Sequence, residues 1–487
     1  MSLLLLSVLD SLDTSDPAKL LGTVLIIALT LLFFNSACNC GALSNAGAQH
    51  QRQVRNARAL RQTKVMNNKS NKRWNFATTA PTPTFQHPTS VALTGARGMV
   101  GTGVIKTLIA GGKCKQVVML DLLPEAKDFK TMAATALKEH GVTLHYISAD
   151  ITDRNAMCDP DGAVQTVLKN ADVKAMLHIA ALVGPFFPTA AYLRVNYDGT
   201  INVLDACKAA GIGAVVDCSS PSTRFDGSDI RGANEDEIWE SLGQQYQGLH
   251  EYARTKALGE GAVLKAAKET NLSTCAVAPH QVYGPSDRLF LPSLLRNAKK
   301  GVLRVMGTGD NCVSFTHESN IAHALLLAAG ALVAHEEWKS AGKPTKGPLA
   351  ILGKAGAKVN GEYMVVTDAT EDSPAGLAIN FWDAIDDAAK QVGIPPIRSG
   401  MKGACRLPYY ALLVPIAYAG KIFTAVTGRF INITPFTIRM LVIDRYFDIG
   451  KAKVLLGYAP LVSFDDPEGW RAAVTAVYER TAKDEKW

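Results

Sequence analysis

The 487-residue sequence predicts an α/β fold: a doubly wound parallel sheet, a smaller C-terminal lobe completing it, and an N-terminal membrane segment ahead of both. Three observations predict it. From Ser90 onward, short apolar runs alternate with segments of helical period, the pattern of a parallel sheet covered on both faces. The first of those runs leads into a glycine-rich turn that opens a helix. A separate apolar run near the N-terminus is cut off from the rest by a polar, basic stretch.

Taken in order, Leu20–Phe34 (LLGTVLIIALTLLFF) is largely apolar and extends to about residue 38 if Asn35 and Ser36 sit at an interface. That is short of the roughly 20 apolar residues a membrane-spanning helix needs, and a single anchor, a signal-peptide core and a buried helix of the body compete. A signal-peptide core fits the length but not the acidic lead-in of Asp10, Asp13 and Asp16. Residues 41–89 read as a disordered linker with eight basic residues, from Arg52 to Arg73, and no Asp or Glu. Basic residues after the span place that side in the cytosol. The same acid-poor composition also suits a transit sequence for a plastid or other organelle. The formal net charge is +7, but the linker carries it and the body is nearly neutral, which excludes a nucleic-acid-binding body. Nine scattered cysteines show neither metal-site nor disulfide spacing, so no metal is expected and the body belongs in a reducing compartment.

Val91-Ala92-Leu93 is the first strand. Thr94-Gly95-Ala96-Arg97-Gly98-Met99-Val100-Gly101 follows, and Val104, Leu108 and Ile109 continue at helical spacing. Strand, glycine turn and helix in this order form a dinucleotide fingerprint of the Rossmann type. The glycines let the backbone approach a pyrophosphate, and the helix N-terminus offers it free N–H groups. Gly95, Arg97, Gly98, Met99, Val100 and Gly101 are therefore candidate cofactor contacts. The second strand, Gln116–Leu120, ends at Asp121, placed to bond the adenosine ribose hydroxyls and so to favour NAD. Arg97 in the turn keeps NADP open, since it can meet a 2′-phosphate. A third strand, Thr143–Ser148, runs into Asp150 and Ile151, and a fourth, Ala175–Ile179, into Ala180 and Ala181. Loops at the carboxyl ends of such strands face the cofactor crevice. This gives a dinucleotide-binding domain over 90–275 and a substrate-binding lobe over 276–487.

The fifth strand, Gly213–Ser220, ends in two serines, and Tyr252 and Lys256 follow downstream on a helical pattern. Residues four apart share a helix face. A free phenol has a pKa of about 10 and is a poor base near neutrality. A neighbouring ammonium and a positively charged nicotinamide favour the phenolate. Tyr252 is then the candidate base, Lys256 its activator, and Ser220 the group that holds the substrate oxygen. The order of these motifs along the chain carries more weight than any one of them. Of the remainder, residues 341–360, rich in Lys, Gly and Ala, read as a loop. The apolar segment 407–430 reads as a membrane-proximal entrance or a buried helix of the lobe.

These motifs resemble the extended short-chain dehydrogenase/reductase family. The match is carried by the glycine turn, His178 to Ala181 (HIAA), Asn196, Ser219-Ser220, Tyr252 with Lys256, and Pro279 to Pro285 (PHQVYGP). The resemblance adds Asn196, Pro279 and Val282 to the cofactor contacts and assigns Lys256 to the nicotinamide ribose. Pro279-His280, Gly307 to Asn311 and Gly457 to Asp466 are similar to the 3β-hydroxysteroid dehydrogenase branch, and the tail is most similar to its decarboxylating sterol-4α-carboxylate dehydrogenases. What this implies is NAD(P)-dependent oxidation of a sterol 3β-hydroxyl, with a 4α-carboxylate then lost as carbon dioxide, at the endoplasmic reticulum membrane, with a homodimer open. Ala278, Ser314 and Pro221 depart from the usual pattern and bear on substrate identity rather than on reaction type. A 3β-hydroxysteroid dehydrogenase/isomerase, a nucleotide-sugar epimerase or dihydroflavonol-type reductase, and a non-catalytic NAD(P)-sensing scaffold are the competing readings.

Overall fold

The computed structural model describes residues 84–111, 113–184, 187–225, 227–237, 250–369, 378–397 and 435–483. The expected membrane segment at 20–38, the linker up to residue 83 and the apolar segment 407–430 lie outside them. Among the described residues no helix is long and apolar enough to cross a membrane.

Seven parallel strands form the main sheet. They are β1 (Ser90–Thr94), β2 (Gln116–Asp121), β3 (Thr143–Ser148), β4 (Ala175–His178), β5 (Ala214–Cys218), β7 (Ser273–Pro279) and β11 (Tyr363–Val366). Their spatial order is β11-β7-β5-β4-β1-β2-β3. The order reverses at β1, so the crevice of the fold lies between the loops that leave β1 and β4. Alternate residues of these buried strands feed two layers, as side chains of period two require. Val91 and Leu93 pack with helices α1 (Met99–Gly111) and α4 (Glu318–Ser340). Ala92, Val118, Met176 and Val215 pack with α2 (Gly199–Ala210) and α3 (Glu251–Glu269).

The cofactor half is not self-contained. Strand β11 pairs with β7 from Tyr363↔Ala276 to Val366↔Pro279, and α4 lies across β4, β5 and β7. Both come from beyond residue 275, where the sequence places the lobe. Helix α4 is apolar nearly all round through Leu325–Leu332, which suits a helix buried on several sides. Two expectations are corrected against it. The stretch 341–360 is not all loop, because Pro348–Ala357 forms helix α5. Its Gly353 and Gly356 lie so close to α4 that a Cβ would come within 2.1 Å of Trp338 Cβ or of the Ala331 carbonyl oxygen. The linker also ends earlier than residue 89, since Phe85 is buried in the core and Gln86 lies over Gly330 of α4.

The remaining strands make two small sheets. One is β8 (Val282–Tyr283) with β10 (Thr316–His317). The other has the order β12-β9-β13-β6, built from Ile379–Asn380, Cys312–Val313, Arg445–Phe447 and Ile230–Ala233. The lobe has its own aromatic core of Tyr283, Phe315, Trp382 and Trp470, supplied in part by α6 (Phe381–Gln391) and α7 (Trp470–Lys483).

Candidate active site

Where β1 ends, Thr94 ties the two crevice loops together. Its Oγ1 accepts the N–H groups of Ile179 and Ala180 at 3.1 Å each and bonds His178 Nδ1 at 2.9 Å. Gly95 then turns at φ +69°, and a Cβ there would sit 2.9 Å from Ala180 Cα. Only glycine suits both the left-handed backbone and the close approach. A Cβ on Gly101 would likewise meet the Gly95 carbonyl oxygen at 2.3 Å. Met99 and Val100 open α1, whose first N–H groups have no intrahelical acceptor. A cradle that any Cβ would fill, facing a helix N-terminus, fits a dinucleotide pyrophosphate.

Asp121 closes one side of this cradle. One carboxylate oxygen accepts the Arg97 N–H at 2.8 Å and the other the Leu123 N–H at 3.0 Å, leaving lone pairs for ribose hydroxyls. The Arg97 guanidinium donates to the Pro124 carbonyl at 2.7 Å, on the exposed side. The two groups that argue for NAD and for NADP therefore lie side by side. Asp150, after β3, accepts the Thr152 N–H at 2.8 Å and faces Arg194 at 3.7 Å. Ile151 is buried towards Gly199 of α2, so its side chain faces the core and only its backbone is left for the crevice. Asn196 is buried and holds the loop after Ala181, accepting the Leu182 N–H at 2.8 Å and donating to Thr255 at 3.2 Å. Pro279 ends β7 at the same sheet edge, whereas Val282 pairs with Thr316 in the small ladder beyond it.

Ser220 follows β5 and caps a short helical turn, Pro221–Arg224. Proline suits the first position of such a turn, where an N–H would have no acceptor, which accounts for Pro221. Ser220 Oγ accepts from Ser222 Oγ at 2.9 Å, and both hydroxyls hydrogen-bond the Tyr252 phenol. Tyr252 stands in the first turn of α3, capped by His250, with the ring of Tyr192 at 6.4 Å. Lys256, one turn on, is buried and bonds Asp217 of β5 at 3.2 Å. Tyr252, Lys256 and Ser220 thus lie together at the end of β5. Burial pushes Tyr252 upward, and the pull of Lys256 and of the two serines is too small to reverse it. The physical reason is desolvation of the buried phenol, with a smaller push in the same direction from Cys218. Lys256 itself stands above the ordinary lysine value, burial being outweighed chiefly by Asp217.

Behind the serines lies a buried network that the sequence reading missed. Glu260 accepts from Ser219 and Thr223 and forms an ion pair with Arg224, whose guanidinium stacks 3.4 Å above the Tyr363 ring of β11. The signal for Glu260 was its place, four residues beyond Lys256 on the face shared with Tyr252. Asp217 had a signal too, as a charge inside the apolar run AVVDC. On the lobe side, His280 bonds the Ser314 carbonyl at 2.7 Å and Arg445 at 3.1 Å. Among the described residues no group of metal-binding side chains occurs.

The model of the 3-beta hydroxysteroid dehydrogenase/isomerase family matches residues 92–344, just over half of the chain. The chain belongs to that family. Among the relatives, the 3beta-hydroxysteroid-dehydrogenase/decarboxylase isoform 1 of Arabidopsis thaliana is 30% identical over 329 residues, 66% of this chain and 65% of that protein. Isoform 2 is 29% identical, and the match spans 53% of its length. The bovine (Bos taurus) sterol-4-alpha-carboxylate 3-dehydrogenase, decarboxylating, is 31% identical over 56% of this chain and 68% of its own. The chain thus spans about half to two-thirds of the Arabidopsis relatives. Of solved structures, a dTDP-glucose 4,6-dehydratase from Streptomyces venezuelae with NAD bound superposes with a TM-score of 0.55 at 19% identity, covering 81% of this chain and 98% of that one. That likeness establishes the Rossmann-like parallel fold of this family member.

Proposed function

We propose that this chain is an NAD(P)-dependent sterol dehydrogenase that oxidises a 3β-hydroxyl, its substrate a 4α-carboxysterol that loses carbon dioxide after oxidation. The observation that carries the reading is the convergence of the Tyr252 phenol, the Ser220 hydroxyl and the Lys256 ammonium at the carboxyl edge of the sheet, beside the glycine cradle. The names of the Arabidopsis and bovine relatives support the substrate class. The bound dinucleotide supplies a hydride acceptor. Ser220 holds the substrate oxygen, and Tyr252 as phenolate takes the hydroxyl proton while the C3 hydride leaves. Lys256 stabilises the phenolate and holds the nicotinamide ribose. The product is a β-keto acid. Its C4–carboxylate bond breaks with the electron pair passing to the new ketone, and the resulting enolate takes a proton at C4 from water.

The apolar run at residues 20–38 and its charged flanks support a single membrane anchor with the body on the cytosolic side; the endoplasmic reticulum as its membrane rests on the family resemblance. Deleting residues 1–40 should move the protein from the membrane to the soluble fraction; retention on membranes would refute the anchor.

For the activity, the detergent-solubilised protein is incubated with a 4α-carboxy-3β-hydroxysterol and NAD, following reduced cofactor and carbon dioxide together. Equal release of both, lost in Tyr252→Phe, is the expected result. Reduced cofactor without carbon dioxide would overturn the decarboxylation. Cofactor binding without any turnover would overturn the sterol reading.

A further inference from the structure

The ion pair between Lys256 and Asp217 is not required by the chemistry above, in which the ammonium needs only a phenolate and a ribose. Its surroundings make it unusual. Both side chains are almost fully buried, 4% and 1% exposed, and their contact is 3.2 Å. Asp217 Oδ2 has no hydrogen-bond partner among the described residues. A carboxylate left half unsatisfied in the interior is costly unless a charge beside it compensates.

The groups around Lys256 leave one such charge. From β4 comes His178, held neutral between Thr94 and Thr200, its pKa lowered to about 3 by burial and then by Lys256. From β5 come Asp217 and Cys218, the thiol raised to about 12 by burial. From β7 comes Cys275, which faces Asp217 and is also raised by burial. Tyr252 lies one turn back on α3 with Tyr192 packed against it, and His250 caps the helix, its pKa lowered by burial. Glu260, one turn forward, is paired with Arg224. Asp217, whose own acidity is weakened by burial and pulled back by Lys256, is thus the acidic group that Lys256 meets.

We propose that Asp217 is a positioning residue of this site: its carboxylate holds the Lys256 ammonium in place and counter-charges the Tyr252–Lys256 pair, setting the pH at which that pair becomes a base. The role rests on the dehydrogenase reading for its use, but not for its electrostatics. Tyr252 and Lys256 titrate as a coupled pair. The first proton leaves a site of charge +1 and gives one of charge 0, whichever residue it comes from. A nearby anion favours the charged form, so it raises the apparent pKa of that step. Removing the anion lowers it.

The test uses Asp217→Asn, which keeps the shape and removes the charge, in the full-length protein. Asp217→Ser, with room for a water beside the ammonium, serves where the first variant folds poorly. Tyr252 ionisation is read from the near-ultraviolet tyrosinate absorbance as the step missing in Tyr252→Phe, and the acid limb of the kcat/KM profile is measured beside it. Both should move to lower pH by about one unit, the scale of a single charge at this range. A general loss of activity at every pH with an unmoved limb and an unmoved tyrosinate step would overturn the proposal and leave Asp217 a packing residue. If the sterol is not turned over at all, the tyrosinate step still decides the point, so the two readings fail separately.

Discussion

Helix α3 carries both Tyr252 and Lys256, and two of its glycines make opposite predictions. A Cβ on Gly259 would stand 2.2 Å from the Asn196 carbonyl oxygen and 3.0 Å from Thr200 Oγ1. Two turns of backbone meet there with no room for a side chain. A Cβ on Gly261 would meet nothing within 4 Å. Gly259→Ala must therefore push α3 away from Asn196 by about 1 Å to reach ordinary contact, and overpacking of this kind costs roughly 1–3 kcal/mol. The helix carries the phenol with it, and a displacement of about 1 Å can cost on the order of 100-fold in rate. Gly261→Ala only removes unfolded-state freedom, so it should stabilise by roughly 0.5–1 kcal/mol and leave turnover alone. The assay is kcat for sterol oxidation beside the denaturation midpoint, for both variants. Equal behaviour of the two, or full turnover in Gly259→Ala, would refute the argument that this close approach positions the base.

Three further outcomes follow from the same geometry. Glu260→Gln leaves Arg224 buried without its carboxylate and should cost roughly 3–5 kcal/mol in chemical denaturation, while the double change Glu260→Leu with Arg224→Met should recover most of it; equal losses would show that the pair is not coupled. Asp121→Asn weakens the acceptor facing the ribose, so the preference for NAD over NADP in kcat/KM should fall by about 10-fold, the worth of one charge-assisted hydrogen bond; an unchanged ratio would remove Asp121 from the ribose site. His178 has a folded pKa of about 3, lowered by burial and by Lys256, against roughly 6.5 in the unfolded chain. Between those values the unfolded chain binds a proton the folded one refuses, so stability drops as pH falls through that window, by about 1.4 kcal/mol per unit from this group. His178→Gln removes that slope, and parallel stability curves for variant and parent from pH 6.5 downward would contradict the assignment.

Much of the cradle was legible because its signals are local. Val91 to Gly101, Asp121 at the end of β2, Ser220 at the end of β5, and Tyr252 with Lys256 each depend on neighbours within one turn or one strand. What was not legible depends on distance along the chain. Strand β11 pairs with β7 across more than eighty residues, and nothing in YMVV names its partner. Helix α5 escaped notice because it docks through Ala350, Gly353 and Gly356, small residues that leave no apolar stripe to read. The pairing of Lys256 with Asp217 was missed for the same reason: strand β5 and helix α3 had to be brought together before the countercharge had an address.

The arrangement of β11 has a consequence for how the protein is made. A nascent chain that has emerged only as far as residue 279 holds the glycine turn, Ser220, Tyr252 and Lys256, yet its sheet ends in an open β7 edge and lacks the apolar helix that covers one face. Exposed edges and apolar faces of that kind invite misassembly during synthesis. The cofactor site therefore matures late, after residue 366 has left the ribosome, and a message truncated inside α4 or α5 would yield a chain with every reactive group present and no framework to hold them.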